Sequence, residues 1–144
     1  MSYNILLRTT WASRRWSLGL LVLLFAGAGI LHFVHRDSFE QMVPPWLPHP
    51  ALLVAISGIA EVLGAVGLLR ARTRAAAGWG LIALLVAVFP ANVHMLADAR
   101  SRGASALWQT TLWVRLPLQV VLIWWVWRAA IGTRNGHARA TIGA

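Results

Sequence analysis

The sequence predicts an all-α integral membrane protein, a four-helix bundle with both termini in the cytoplasm. Of its 144 residues, 58% are hydrophobic and only 12% are charged, whereas a soluble domain is typically about 45–50% apolar and about 25% charged. Four apolar runs also approach the roughly 20 residues that a helix needs to cross a bilayer. Strands are excluded in these runs, because an open sheet leaves backbone polar groups unsatisfied in lipid.

The apolar runs follow one another along the chain, at about residues 18–34, 51–69, 78–96 and 112–131. They predict a basic cytoplasmic N-terminus at 1–17, a four-helix membrane domain at 18–131 and a disordered basic tail at 132–144. The first run continues past the small residues at 26–28 that imitate a signal cleavage site, which favours an uncleaved first helix.

The segment at 35–50, between the first two runs, is rich in proline. Four of the seven positions from Pro44 to Pro50 are proline, which restricts φ and prevents a helix. We expect a rigid connector or, alternatively, a lid over the outer end of the bundle. A short amphipathic turn is expected at 39–43.

The arginines predict the orientation. All thirteen basic side chains are arginine, and nine of them lie on the side of the predicted bundle that carries both termini. Positive charge collects on the cytoplasmic side, so we expect a multi-pass protein of the bacterial inner membrane. The arginines occupy short segments between apolar runs, which indicates contact with anionic lipid rather than with nucleic acid.

Glu61 is the strongest candidate for a functional residue, because it is the one charge inside the run at 51–69. An ionisable group at membrane depth is costly and usually faces a partner or a cavity. Glu61 lies about 15 Å below the start of this span. Its face also carries Ser57, Gly64 and Leu68 by helical spacing, so we expect the carboxyl to point into the bundle.

Five further polar residues are expected in the outer half of the bundle. The other three spans contribute to this set: His32 in span one, Asn92 and His94 in span three, and Arg115 and Gln119 in span four. Pro90 should kink span three and free a backbone carbonyl. Two interpretations stay open: a small-molecule site, or interhelical contacts in which Glu61 pairs with Arg115 and the amides join helices.

Three chemistries suit this polar set. A quinone head needs hydrogen-bond donors and an acid/base group. A divalent metal held by His32, Glu61 and His94 matches no compact ligand motif, so no metal is assigned. A proton or solute path would use Glu61 as a relay. The chain has no cysteine, which excludes thiol redox chemistry within it, and no nucleotide or hydrolase motif is present.

Five segments resemble the DoxX-like family of small bacterial membrane proteins. They are Gly-Ile-Leu-His-Phe at 29–33, Val-Pro-Pro-Trp-Leu-Pro at 43–48, Ile-Ser-Gly-Ile-Ala-Glu at 56–61, Val-Phe-Pro-Ala-Asn-Val-His-Met at 88–95 and Arg-Leu-Pro-Leu-Gln at 115–119. This resemblance covers roughly residues 18–127 and implies a four-helix membrane bundle. The family name comes from a subunit of a thiosulfate:quinone oxidoreductase, so the resemblance also implies a link to redox systems.

The sequence therefore predicts a small-molecule site, whose most concrete form is a quinone-linked redox component. In this hypothesis Glu61 accepts a proton and Arg115 is its charge partner. His32, Asn92, His94 and Gln119 contact the head group. A soluble oxidoreductase is the expected partner. The alternatives are a non-enzymatic partner or chaperone subunit, and a small-solute or proton transporter that would have to be a homo-oligomer.

Overall fold

The computed structural model describes residues 3–132, and their side chains from residue 14 onward. Five α-helices occur in this part of the chain: α1 (Tyr3–Val34), α2 (Arg36–Glu40), α3 (Pro50–Leu69), α4 (Arg74–Ser101) and α5 (Ala106–Val126). A π-helical turn, Trp127–Ile131, continues α5. Within the described residues, four helices are long and apolar enough to cross a membrane, which confirms the predicted all-α class and the number of spans.

The helices extend beyond the apolar runs that predicted them. Helix α1 begins at Tyr3, well before residue 18, and α4 covers Arg74–Ser101 rather than 78–96. Arginine and alanine have high helix propensity, so the flanking segments stay helical where the hydropathy falls. The predicted disordered tail at 132–144 lies, apart from Gly132, outside the described residues.

The long helices pack in a fixed order. Helix α1 packs on α3, α3 on α4, and α4 on α5, while α1 meets the π-helical turn at the end of α5. At that end the core contains large side chains from all four helices, including Leu21, Phe25, Leu68, Leu81 and Val126. The Arg14 guanidinium Nε donates to the carbonyl of Ala129 at 3.1 Å, which joins α1 to the π-helical turn.

Two glycines set the distance between α1 and α3. A Cβ on Gly29 would lie 2.7 Å from the carbonyl oxygen of Gly58, and a Cβ on Gly58 would lie 3.0 Å from that of Gly29. The two backbones therefore touch without any intervening side chain, as small residues permit in membrane bundles. This close approach brings the end of α1 beside Glu61.

The segment at 35–49, named the cap here, folds over one end of the bundle. Its short helix α2 packs on α1 and α3, and the Phe39 ring stacks on His32 with centroids 4.1 Å apart. Met42 packs on a second core cluster formed by Met95, Leu96, Ala99 and Leu112. The helix lies at Arg36–Glu40 rather than at the expected 39–43. The cap thus packs on one end of the bundle, an arrangement that both the rigid-connector and the lid interpretations allow.

Candidate functional site

A cavity of about 430 Å³ lies between the two core clusters. Four of the six predicted site residues line it: Glu61, Asn92, Arg115 and Gln119. The remaining wall is apolar and comes from α1, α4 and α5, with Phe25, Leu85 and Trp125 among its side chains. The cavity therefore has a polar side built by three helices and an apolar side open to a hydrocarbon ligand.

Glu61 points into the bundle, as predicted, and its side chain is only 14% exposed. Its Oε2 atom lies 3.3 Å from Nδ1 of His32. When Nδ1 carries the proton, it donates to the carbonyl of Ala28 at 2.9 Å. Oε2 is consequently buried without a hydrogen bond to any described residue. Because this oxygen has less than 1 Å² of accessible surface, Glu61 lines the cavity through its other side-chain atoms.

Arg115 lines the same cavity but does not pair with Glu61. Among the described residues, no carboxylate lies within 4.0 Å of its guanidinium. The contact that the structure gives Glu61 is His32 instead, which corrects the expected charge partner. An acid and a guanidinium thus face one cavity with space between them, an arrangement that suits a head group with a donor on one side and an acceptor on the other.

Asn92 and Gln119 form a hydrogen-bonded link between α4 and α5. The Nδ2 amide of Asn92 donates to Oε1 of Gln119 at 2.8 Å, and Nε2 of Gln119 donates to the backbone carbonyl of Leu85. Both amides are almost fully buried, at 6% and 5% exposure. Their first role is therefore to hold the polar wall in place.

Replacing Gln119 with leucine should destabilise the bundle by about 1–3 kcal/mol, because Asn92 and the Leu85 carbonyl lose their partner in a buried place. Denaturation in a mild detergent, followed by circular dichroism, measures this. The matched control is Gln109→Leu, since Gln109 lies on the same helix and its amide donates to Ala104 in a half-buried position. Equal losses of unfolding free energy in the two variants would contradict the prediction that the buried Asn92–Gln119 hydrogen bond stabilises the bundle.

His94 lies apart from the other predicted site residues. Its ring meets the edge of Trp46 in the cap, with centroids 4.6 Å apart and planes at 89°. It is not among the residues that line the cavity. Within the described residues, no three side chains of the metal-binding types come close enough to hold one ion, so the arrangement of His32, Glu61 and His94 does not form a metal site.

Sequence reasoning missed three contributors to the site. Phe39 orients His32 by stacking on its ring. The backbone carbonyl of Ala28 competes with Glu61 for the proton on Nδ1 of His32. Trp125 forms part of the apolar wall of the cavity. The position of Ala28, four residues before His32 on one helix, was readable in advance. Nothing in the spacing indicated that the cap would return to His32.

The fold and site define a class, namely a four-helix protein of membrane type with a partly polar cavity under a cap. The chain belongs to the family described as a domain of unknown function, DUF8561, whose profile matches residues 21–130. This range includes the second half of α1, the whole of α3, α4 and α5, and every residue of the polar cavity wall. No curated protein and no solved structure matches the chain.

Proposed function

We propose that this protein binds a small amphipathic molecule in the cavity and serves as a quinone-linked redox component of the bacterial inner membrane. The observation that carries the proposal is a cavity lined both by a carboxyl-bearing side chain, Glu61, and by a guanidinium, Arg115, which form no ion pair with each other. Ionisable side chains within a membrane-spanning bundle usually face a partner or a cavity. The space that these two residues line has a volume of about 430 Å³, within the range of small-molecule pockets.

A quinone fits the chemistry of the polar and apolar sides of the cavity. The guanidinium of Arg115 is an obligatory donor and suits a carbonyl oxygen of the oxidised head. The carboxylate of Glu61 accepts one of the two protons that the reduced head releases on oxidation, and the second proton passes to water; both transfers reverse on reduction. The ring of Trp125 and the apolar wall suit the ring and the first part of the tail. Electrons would come from or go to a soluble oxidoreductase partner.

The placement in the membrane belongs to the same proposal. With both termini in the cytoplasm, the cap and the cavity lie toward the outer face, and the turn with Arg70, Arg72 and Arg74 lies at the cytoplasmic surface. The resemblance to DoxX-like proteins supports a redox link. It rests on the sequence segments alone, because the family match carries no stated function.

The test is mass spectrometry of organic extracts from protein purified in mild detergent. We expect a stoichiometric quinone in the parent protein and its loss in Glu61→Gln, with a reduction of about tenfold or more in Arg115→Leu. Glu40→Gln is the control, because Glu40 is a cap carboxylate that pairs with Arg36 on the surface.

Two results would contradict the proposal. Equal quinone content in the parent and in folded Glu61→Gln would show that the acid does not hold the ligand. Extracts containing only phospholipid, together with no saturable binding of added quinone, would favour the structural or partner-subunit interpretation instead.

A further inference from the structure

The cavity is open on one side, between α1 and α5. Helices α1 and α5 do not form a closely packed pair. Helix α1 instead contacts the π-helical turn that continues α5, at the end of the bundle opposite the cap. Nearer the cap, Leu24 of α1 and Leu118 and Val121 of α5 line the cavity. All three are also exposed on the outside of the bundle. They therefore form the rim of an opening that faces the lipid, named the side opening here.

Packed side chains lie at both ends of the bundle. At the cap end, Phe39 stacks on His32 and Met42 packs on the second core cluster. At the opposite end, Leu21, Phe25 and Val126 are buried in the first core cluster. The side opening, by contrast, is lined by exposed apolar side chains, which makes it the route suited to an apolar molecule.

We infer that the ligand reaches the cavity from the bilayer and keeps an apolar tail in the side opening, between Leu24 and Val121. This inference rests on the proposed function, and it narrows the ligand to a bilayer-dissolved molecule with one polar head and a single hydrocarbon or isoprenoid tail. The cavity volume of about 430 Å³ is at the low end for small-molecule pockets. It holds a ring and the start of a tail, and the rest of the tail lies in lipid.

The test uses two probes, a benzoquinone with a decyl tail and the same ring with a methyl group in place of the tail. Binding is measured in lipid nanodiscs for the parent protein and for Val121→Trp, which fills the side opening. Ile59→Trp is the control, because Ile59 is 51% exposed and Val121 is 55% exposed, yet Ile59 does not line the cavity. Leu24→Trp repeats the test from α1.

We expect Val121→Trp and Leu24→Trp to weaken binding of the decyl probe about tenfold more than they weaken binding of the methyl probe. Ile59→Trp should bind both probes as the parent does. If the decyl probe binds the filled variants normally while Glu61→Gln binds neither probe, the tail route is wrong and the site stands. If Glu61→Gln binds both probes normally, the proposed site itself is wrong.

Discussion

Gly29→Ala is expected to destabilise the bundle by about 1–3 kcal/mol, the usual cost of overpacking a close contact. The new Cβ would lie 2.7 Å from the carbonyl oxygen of Gly58 and 2.8 Å from Cγ2 of Val62. The first of these is a backbone atom, so relief requires α1 and α3 to separate. Because that contact also brings His32 to Glu61, the same change should weaken ligand binding.

Gly27→Ala is the matched control for this prediction. Gly27 lies two residues away on the same helix, and a Cβ there would meet nothing within 4 Å. Alanine is also the better helix former, so the control should be neutral or slightly stabilising. Thermal unfolding in one detergent compares the two variants. Similar melting temperatures for both would show that the glycine contact does not determine the distance between α1 and α3.

The fold was predictable to the extent that hydropathy determines it. The cap-side end of α1 at Val34 and the far end of α3 at Leu69 coincide with the ends of the apolar runs. The start of α1 at Tyr3 was not predictable in this way, since the arginines that end the apolar run are themselves good helix formers. Hydropathy indicates which residues can lie in the hydrocarbon of a membrane. It does not indicate where the backbone hydrogen bonds of a helix begin or end.

Helical spacing predicted which site residues share a face of one helix. It did not predict which residues of the neighbouring helices they contact. Arg115 and Gln119 are four residues apart and both line the cavity, as helical spacing requires. Asn92 and His94 are two residues apart and so face different directions, which explains why only Asn92 reaches the cavity. The partner of Glu61 depended on the order of helices around the bundle. Spacing within one span carries no information on that order.

The second large effect is expected at His32. His32→Phe keeps a ring to stack on Phe39 but removes the nitrogen that lies 3.3 Å from Glu61. Removing one partner from a buried pair costs about 3–5 kcal/mol when the other stays charged. Both side chains of the pair keep 14% exposure, so we expect a loss of about 3 kcal/mol, at the lower end of this range. Chemical denaturation of the purified variant in detergent measures this loss.

The double variant His32→Phe/Glu61→Leu distinguishes two roles of the His32–Glu61 pair. In one the pair only joins α1 to α3, and in the other Glu61 also binds the ligand. Well-packed apolar residues often replace a buried ion pair without loss of stability, so the double variant should recover most of what His32→Phe loses. If the pair only joined α1 to α3, quinone binding would recover as well. We expect stability to return and binding to stay lost, because the double variant lacks the Glu61 carboxyl that lines the cavity. A stable double variant that binds quinone as the parent does would assign the pair to the scaffold.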